Sequence, residues 1–135
     1  MAAAGGAAVL PPQGPLPGMP PVTDPKDIYA ADRPGMLSPV VRGFPARVYV
    51  PNTESNSVDV IDPATYKVID HFRVGRLPQH VTPSWDLKTL YVLNDRGNSL
   101  TRLDPATGKP AGTVRVRDPY NMYYTPDGKY AIVVA

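Results

Sequence analysis

Cysteine is absent from the 135 residues. Disulfides, thiolate metal sites, a cysteine nucleophile and a lipid-anchored cysteine are therefore excluded, while the compartment stays open because exported proteins often lack cysteine too. No apolar run approaches the ~20 residues of a membrane-spanning helix. Charge is sparse and balanced: 14 Lys+Arg against 12 Asp+Glu leave a net +2. The basic residues are scattered along the chain, which argues against a nucleic-acid footprint despite a sequence pI near 8.9. Histidine occurs twice, as His71 and His80, and no serine lies in a Gly-x-Ser-x-Gly elbow. Paired metal-binding histidines, the phosphate loop and the dinucleotide glycine pattern are missing as well. On these grounds no catalytic triad, no metal and no cofactor is expected.

Proline, by contrast, is abundant, at 18 residues against a usual ~5% of a chain. Most of the prolines up to Pro45 fall in a stretch of their own. Residues 1–23 carry no charged side chain and read as Ala/Gly, then Pro/Gly (PPQGPLPGMPPV). Proline locks φ and removes a donor, so Pro11–Pro21 favours extended polyproline II over helix or sheet. Residues 1–24 are expected to form a disordered, Ala/Gly/Pro-rich leader. Ala2–Leu10 lacks the positive flank of a complete signal peptide. Residues 25–45 read as a linker, in which Gly35–Val41 is the one stretch that a short strand fits.

Residues 46–135 form an internal repeat. With Tyr49 set against Tyr91, an offset of 42, 12 of 26 positions from Tyr49 to Val74 are identical. Asn52, Asn56-Ser57 and Asp62-Pro63-Ala64-Thr65 match Asn94, Asn98-Ser99 and Asp104-Pro105-Ala106-Thr107. After Val74 the offset becomes 41, so that Pro78, Asp86 and Lys88 match Pro119, Asp127 and Lys129. A period of ~40–45 residues is the length of a four-stranded propeller blade.

The pattern within the repeat is that of strands. Arg47–Asn52 and Thr89–Asn94 are β-branched and aromatic, and Ser57–Asp62 and Ser99–Asp104 alternate apolar with polar. Lys67–Val74 with Ala111–Arg117, and Gln79–Pro83 with Tyr120–Thr125, supply two further pairs. Turn chemistry separates them: NTESN and NDRGN, DPATYK and DPATGK, and a TPDGK hairpin whose earlier copy, SWDLK, has Leu87 where Gly128 stands. That earlier turn is expected to be strained or differently built.

These residues, YVPN…NSVDVIDPATYKVIDHFRVG above all, resemble the YVTN β-propeller repeat. The resemblance implies an all-β fold of four-stranded antiparallel blades over 46–135. Pro51 and Leu93 replace the repeat's threonine, and Trp85-Asp86-Leu87 its Pro-Asp-Gly. Two blade-lengths do not close a ring, so the resemblance also implies a piece of a longer protein, or copies that associate. Self-association of the isolated chain is the expectation.

The loop before each inner strand of a propeller opens on the central channel. Here those loops are Gly75–His80 and Arg117–Asn121. They keep a proline but change their polar residues, as positions lining an axial pocket would. Arg76, Gln79, His80, Asp118, Tyr120 and Asn121 are therefore the candidate ligand-binding residues, for an unidentified protein or small molecule. His71, on an outer strand, and the recurring Asp62 and Asp104 are read as structural, and Tyr120, Tyr123, Tyr124 and Tyr130 as packing between blades. The resemblance and the Ala-rich start imply an exported or cell-surface binding scaffold without catalysis. A lactonase-type hydrolase, or a haem- or quinone-associated propeller using His80, are the alternatives.

Overall fold

The computed structural model describes residues 23–135. Nearly all of the expected leader, residues 1–24, lies outside the described residues. Nine strands follow one another: β1 Val48–Asn52, β2 Ser57–Asp62, β3 Lys67–Arg73, β4 Pro78–Pro83, β5 Leu90–Asn94, β6 Ser99–Leu103, β7 Pro110–Arg115, β8 Asn121–Tyr124 and β9 Ala131–Val134. They pair as three antiparallel sheets, β1-β2-β3, β4-β5-β6-β7 and β8-β9. The complete sheet is one blade of four strands, and the flanking sheets are parts of its neighbours. Among the described residues no helix is long and apolar enough to cross a membrane.

The expected short strand at Gly35–Val41 does not form. Tight turns occupy the region instead, with Val41 N bonded to Ser38 O at 3.1 Å and Phe44 N to Val41 O at 3.0 Å. Pro39 lies inside this run, lacks the N–H of a ladder donor and presets a turn-compatible φ. The first sheet consequently has three strands.

Register follows the alternation in the sequence. Val58 and Val60 of β2 point into the seam between the first and second sheets, where Val58 meets Val92 and Leu103 with Tyr49, Phe72, Val81 and Leu90 around them. A second cluster, Leu93, Leu100 and Met122, fills the seam between the second and third sheets. The seams are also tied by polar contacts: Lys109 Nζ donates to Asp70 at 2.7 Å, and Arg47 Nη1 to the Ala106 carbonyl at 3.2 Å.

The repeated turns are built alike. Asp62 accepts from Ala64 N and the Thr65 hydroxyl at 2.9 and 2.8 Å, and Asp104 from Ala106 N and Thr107 at 2.9 and 2.9 Å. These donors hold both carboxyls below the ordinary carboxylate range, the backbone N–H having the largest effect. Leu87 and Gly128 occupy the same left-handed position, at φ 61° and 69°. The earlier hairpin is thus the same turn with a leucine forced into it, a strain of about 1–2 kcal/mol that glycine avoids.

β1 and β5 each end in an asparagine, Asn52 half-buried and Asn94 fully buried. Asn52 Nδ2 donates to Asp59 at 2.9 Å, and Asn94 Nδ2 to Thr101 and Ser99 at 2.9 and 3.2 Å. Gly75 passes directly over Asn94.

Candidate functional site

Antiparallel pairing sends the connections alternately to two ends. The starts of β4 and β8, the loops that lead to them and the β1–β2 and β5–β6 turns share one end, here called the mouth. The β2–β3, β4–β5, β6–β7 and β8–β9 turns share the far end.

Both loops at the mouth are pinned in the same way. Asn56 Oδ1 accepts from Leu77 N at 2.8 Å, and Asn98 Oδ1 from Asp118 N at 3.0 Å. Leu77 and Asp118 both take a left-handed backbone, φ 55° and 48°, and the prolines that follow, Pro78 and Pro119, are fully buried. The chain therefore enters β4 and β8 along equivalent paths, and the side chains between the anchors are left to vary.

His80 joins the two loops. Its Nδ1 lies 2.8 Å from the Tyr120 carbonyl, and the two rings meet edge-on at 5.1 Å. A carbonyl only accepts, so Nδ1 carries a proton and donates it.

Beyond Tyr120 opens a cavity of about 590 Å³, lined by Asp95, Arg96, Asn98, Arg117, Asp118, Tyr120 and Ala135. Asp95 titrates above its ordinary value because the Asp118 carboxyl lies against it; partial loss of hydration adds to this and Arg96 opposes it. Raised in the native state, Asp95 contributes stability below its ordinary pKa and loses it as pH rises through the raised one. Asp118→Asn is expected to bring the Asp95 midpoint back down, read from its carboxyl carbon in an NMR titration. An unchanged midpoint would show that the two carboxyls do not interact.

A family model for the YNCE-like beta-propeller matches residues 35–135. The chain belongs to this family. No curated protein matches it. Among solved structures, hydrazine synthase of Kuenenia stuttgartiensis is similar at 27% identity and a TM-score of 0.56, over 67% of this chain and 26% of that one. Dihydro-heme d1 dehydrogenase NirN, in complex with DHE, is similar in fold at 19% identity and a TM-score of 0.54, over 67% of this chain and 20% of that one. The propeller chain thus spans about a quarter or less of the length of these similar structures.

Within this propeller the six candidate residues do not all meet. Asp118 and Tyr120 line the cavity, and His80 abuts Tyr120. Arg76 is exposed at the mouth, its backbone N so close to Gly97 that a Cβ there would come within 2.6 Å. Gln79 is half-buried on β4. Asn121 turns back on its own strand, with Nδ2 donating to the Tyr123 hydroxyl at 2.8 Å and Oδ1 accepting from Met122 N at 2.8 Å. Asp95, Arg96, Asn98 and Arg117 complete the cavity and were not among the six. For Asp95 and Arg96 a signal was available in the divergence of NTESN from NDRGN, the same contrast that singled out the inner-strand loops.

The tyrosines divide as well. Tyr124 packs in the second seam, where burial pushes its hydroxyl up to about 12, but Tyr120, Tyr123 and Tyr130 are exposed. The reason is local: β8-β9 has only two described strands and a bare outer face. On β3, His71 Nδ1 meets Asp59 Oδ1 at 2.5 Å, and this contact is the main reason Asp59 titrates low.

Proposed function

We infer that this propeller is a non-catalytic binding scaffold with YVTN-type blades, exported or displayed at the cell surface, and that it holds its ligand at the mouth. The observation that carries the reading is the His80–Tyr120 contact. It links the variable loops of successive blades, while Asn56, Asn98 and two buried prolines keep their backbones fixed. A rigid frame with divergent polar side chains is the arrangement that binding sites on repeat scaffolds use. Arg76, Gln79, His80, Asp118, Tyr120 and Asn121 remain the proposed contacts, now joined by Asp95, Arg96, Asn98 and Arg117.

A metabolite panel screened by thermal shift, with hits measured by calorimetry, tests this. His80→Ala is expected to weaken binding about tenfold, a change of ~1.4 kcal/mol, with the fold retained. His71→Ala, on the outer strand, is expected to leave binding unchanged. Equal losses from both substitutions would defeat the reading.

A further inference from the structure

The lysines of the blades gather at one end and most of the arginines at the other, Arg47 before β1 and Arg102 in β6 being the exceptions. Arg73, Arg76, Arg96, Arg115 and Arg117 all lie at the mouth, at the ends of β3 and β7 or in the connections there. Lys67, Lys88, Lys109 and Lys129 all lie at the far end. The five mouth arginines are exposed, and among the described residues none forms a hydrogen bond or ion pair. Arg33, Arg47 and Arg102, elsewhere, each donate to a carboxylate or carbonyl.

Among the described residues no acid at the mouth forms an ion pair with them, the exposed Glu54 of the β1–β2 turn included. Asp59 is bonded to His71, and Asp95 and Asp118 lie against each other. Arginine differs from lysine in offering a planar fork of donors that matches a carboxylate or phosphate edge. Arg96 and Arg117 reach one cavity from different connections, and the Asn98–Asp118 bond fixes those connections relative to each other. We propose that this cavity binds a small molecule through an oxyanion, carboxylate or phosphate, held between Arg96 and Arg117 with Tyr120 beside it. The proposal rests on the mouth reading above and names its ligand chemistry.

Asp95 and Asp118 in the same cavity oppose an anion. Their contact holds the Asp95 carboxyl above its ordinary range, while Arg115, beside Asn98 and Arg117, and Arg76, whose backbone N lies against Gly97, add positive charge at the same end. A cation seated on the acid pair would instead sit beside Arg96 and Arg117.

The test is calorimetric titration of the chain with citrate, with inorganic phosphate and with spermidine, at low and at raised sodium chloride. At least one of the two anions is expected to bind saturably and more weakly at raised salt; which one does so separates the carboxylate source from the phosphate source. Arg96→Ala and Arg117→Ala are each expected to weaken it about tenfold, ~1.4 kcal/mol. Arg117→Lys, which keeps the charge and loses the fork, should recover little. Lys88→Ala and Lys129→Ala at the far end should change nothing, and circular dichroism checks the fold of every variant. No saturable anion binding, or binding lost equally with the lysine variants, overturns the proposal. Spermidine binding that Asp118→Asn abolishes overturns it while leaving the mouth reading intact. Anion binding that needs the arginines but ignores His80→Ala upholds it and removes His80 from the site.

Discussion

Leu103→Ala is expected to lower the unfolding free energy by about 2–5 kcal/mol, the range for a buried leucine truncated in a packed core. Leu103 is fully buried, and it touches Val58 of the first sheet and Val92 of its own. Phe72, Val81 and Leu90 close around the same point. Strands on both sides are held by their ladders, so the seam has little freedom to collapse onto the void. Urea denaturation of the chain measures the loss, with an unchanged m-value showing that the denatured state is the same. Val114→Ala, on exposed β7, is the control and should stay within about 0.5 kcal/mol. A Leu103 loss as small as the control would mean that the seam is not a packed core.

Gly75→Ala is expected to cost about 1–3 kcal/mol for a different reason. A Cβ at Gly75 would lie 2.7 Å from Cβ, Cγ and Nδ2 of Asn94. Asn94 is fully buried, and it cannot move aside without giving up its bonds to Thr101 and Ser99. Its Oδ1 has no partner among the described residues, so little remains to offset the loss. Because the two sites share one contact, the Gly75→Ala, Asn94→Gly double variant, which also removes the Asn94 Cβ, should lose less than the two singles added together. Additive losses in a double-mutant cycle would place the cost of Gly75→Ala somewhere other than Asn94.

The strands were legible because both signals, period-two alternation and a repeat of fixed offset, are local. Eight of them appear within a few residues of where the pattern puts them, and the ninth, β9, where the second repeat returns to its valine-rich run at Ile132–Val134. The error at Gly35–Val41 is instructive. The run is apolar enough for a strand, but Pro39 falls within it, and turn bonds from Ser38 and Val41 take the backbone instead. The loops before β4 and β8 could be read from a kept proline beside changing neighbours. The cavity itself could not, because three of its seven lining residues come from the β5–β6 turn, which only pairing brings beside the β7–β8 loop. The basic residues show the same limit. In the chain they alternate and look scattered; antiparallel strands then carry alternate connections to opposite ends, which puts the four blade lysines at the far end and five of the seven blade arginines at the mouth.

The asparagine pins at Asn56 and Asn98 have a consequence for engineering. Each loop at the mouth is fastened by one side chain at its base and closed by one buried proline, so the frame does not depend on the residues displayed between them. Such a loop behaves as a cassette. The segment Arg117–Tyr120 should be transplantable into the place of Arg76–Gln79, carrying its recognition chemistry from one blade to the next while the strand register beneath stays as it is.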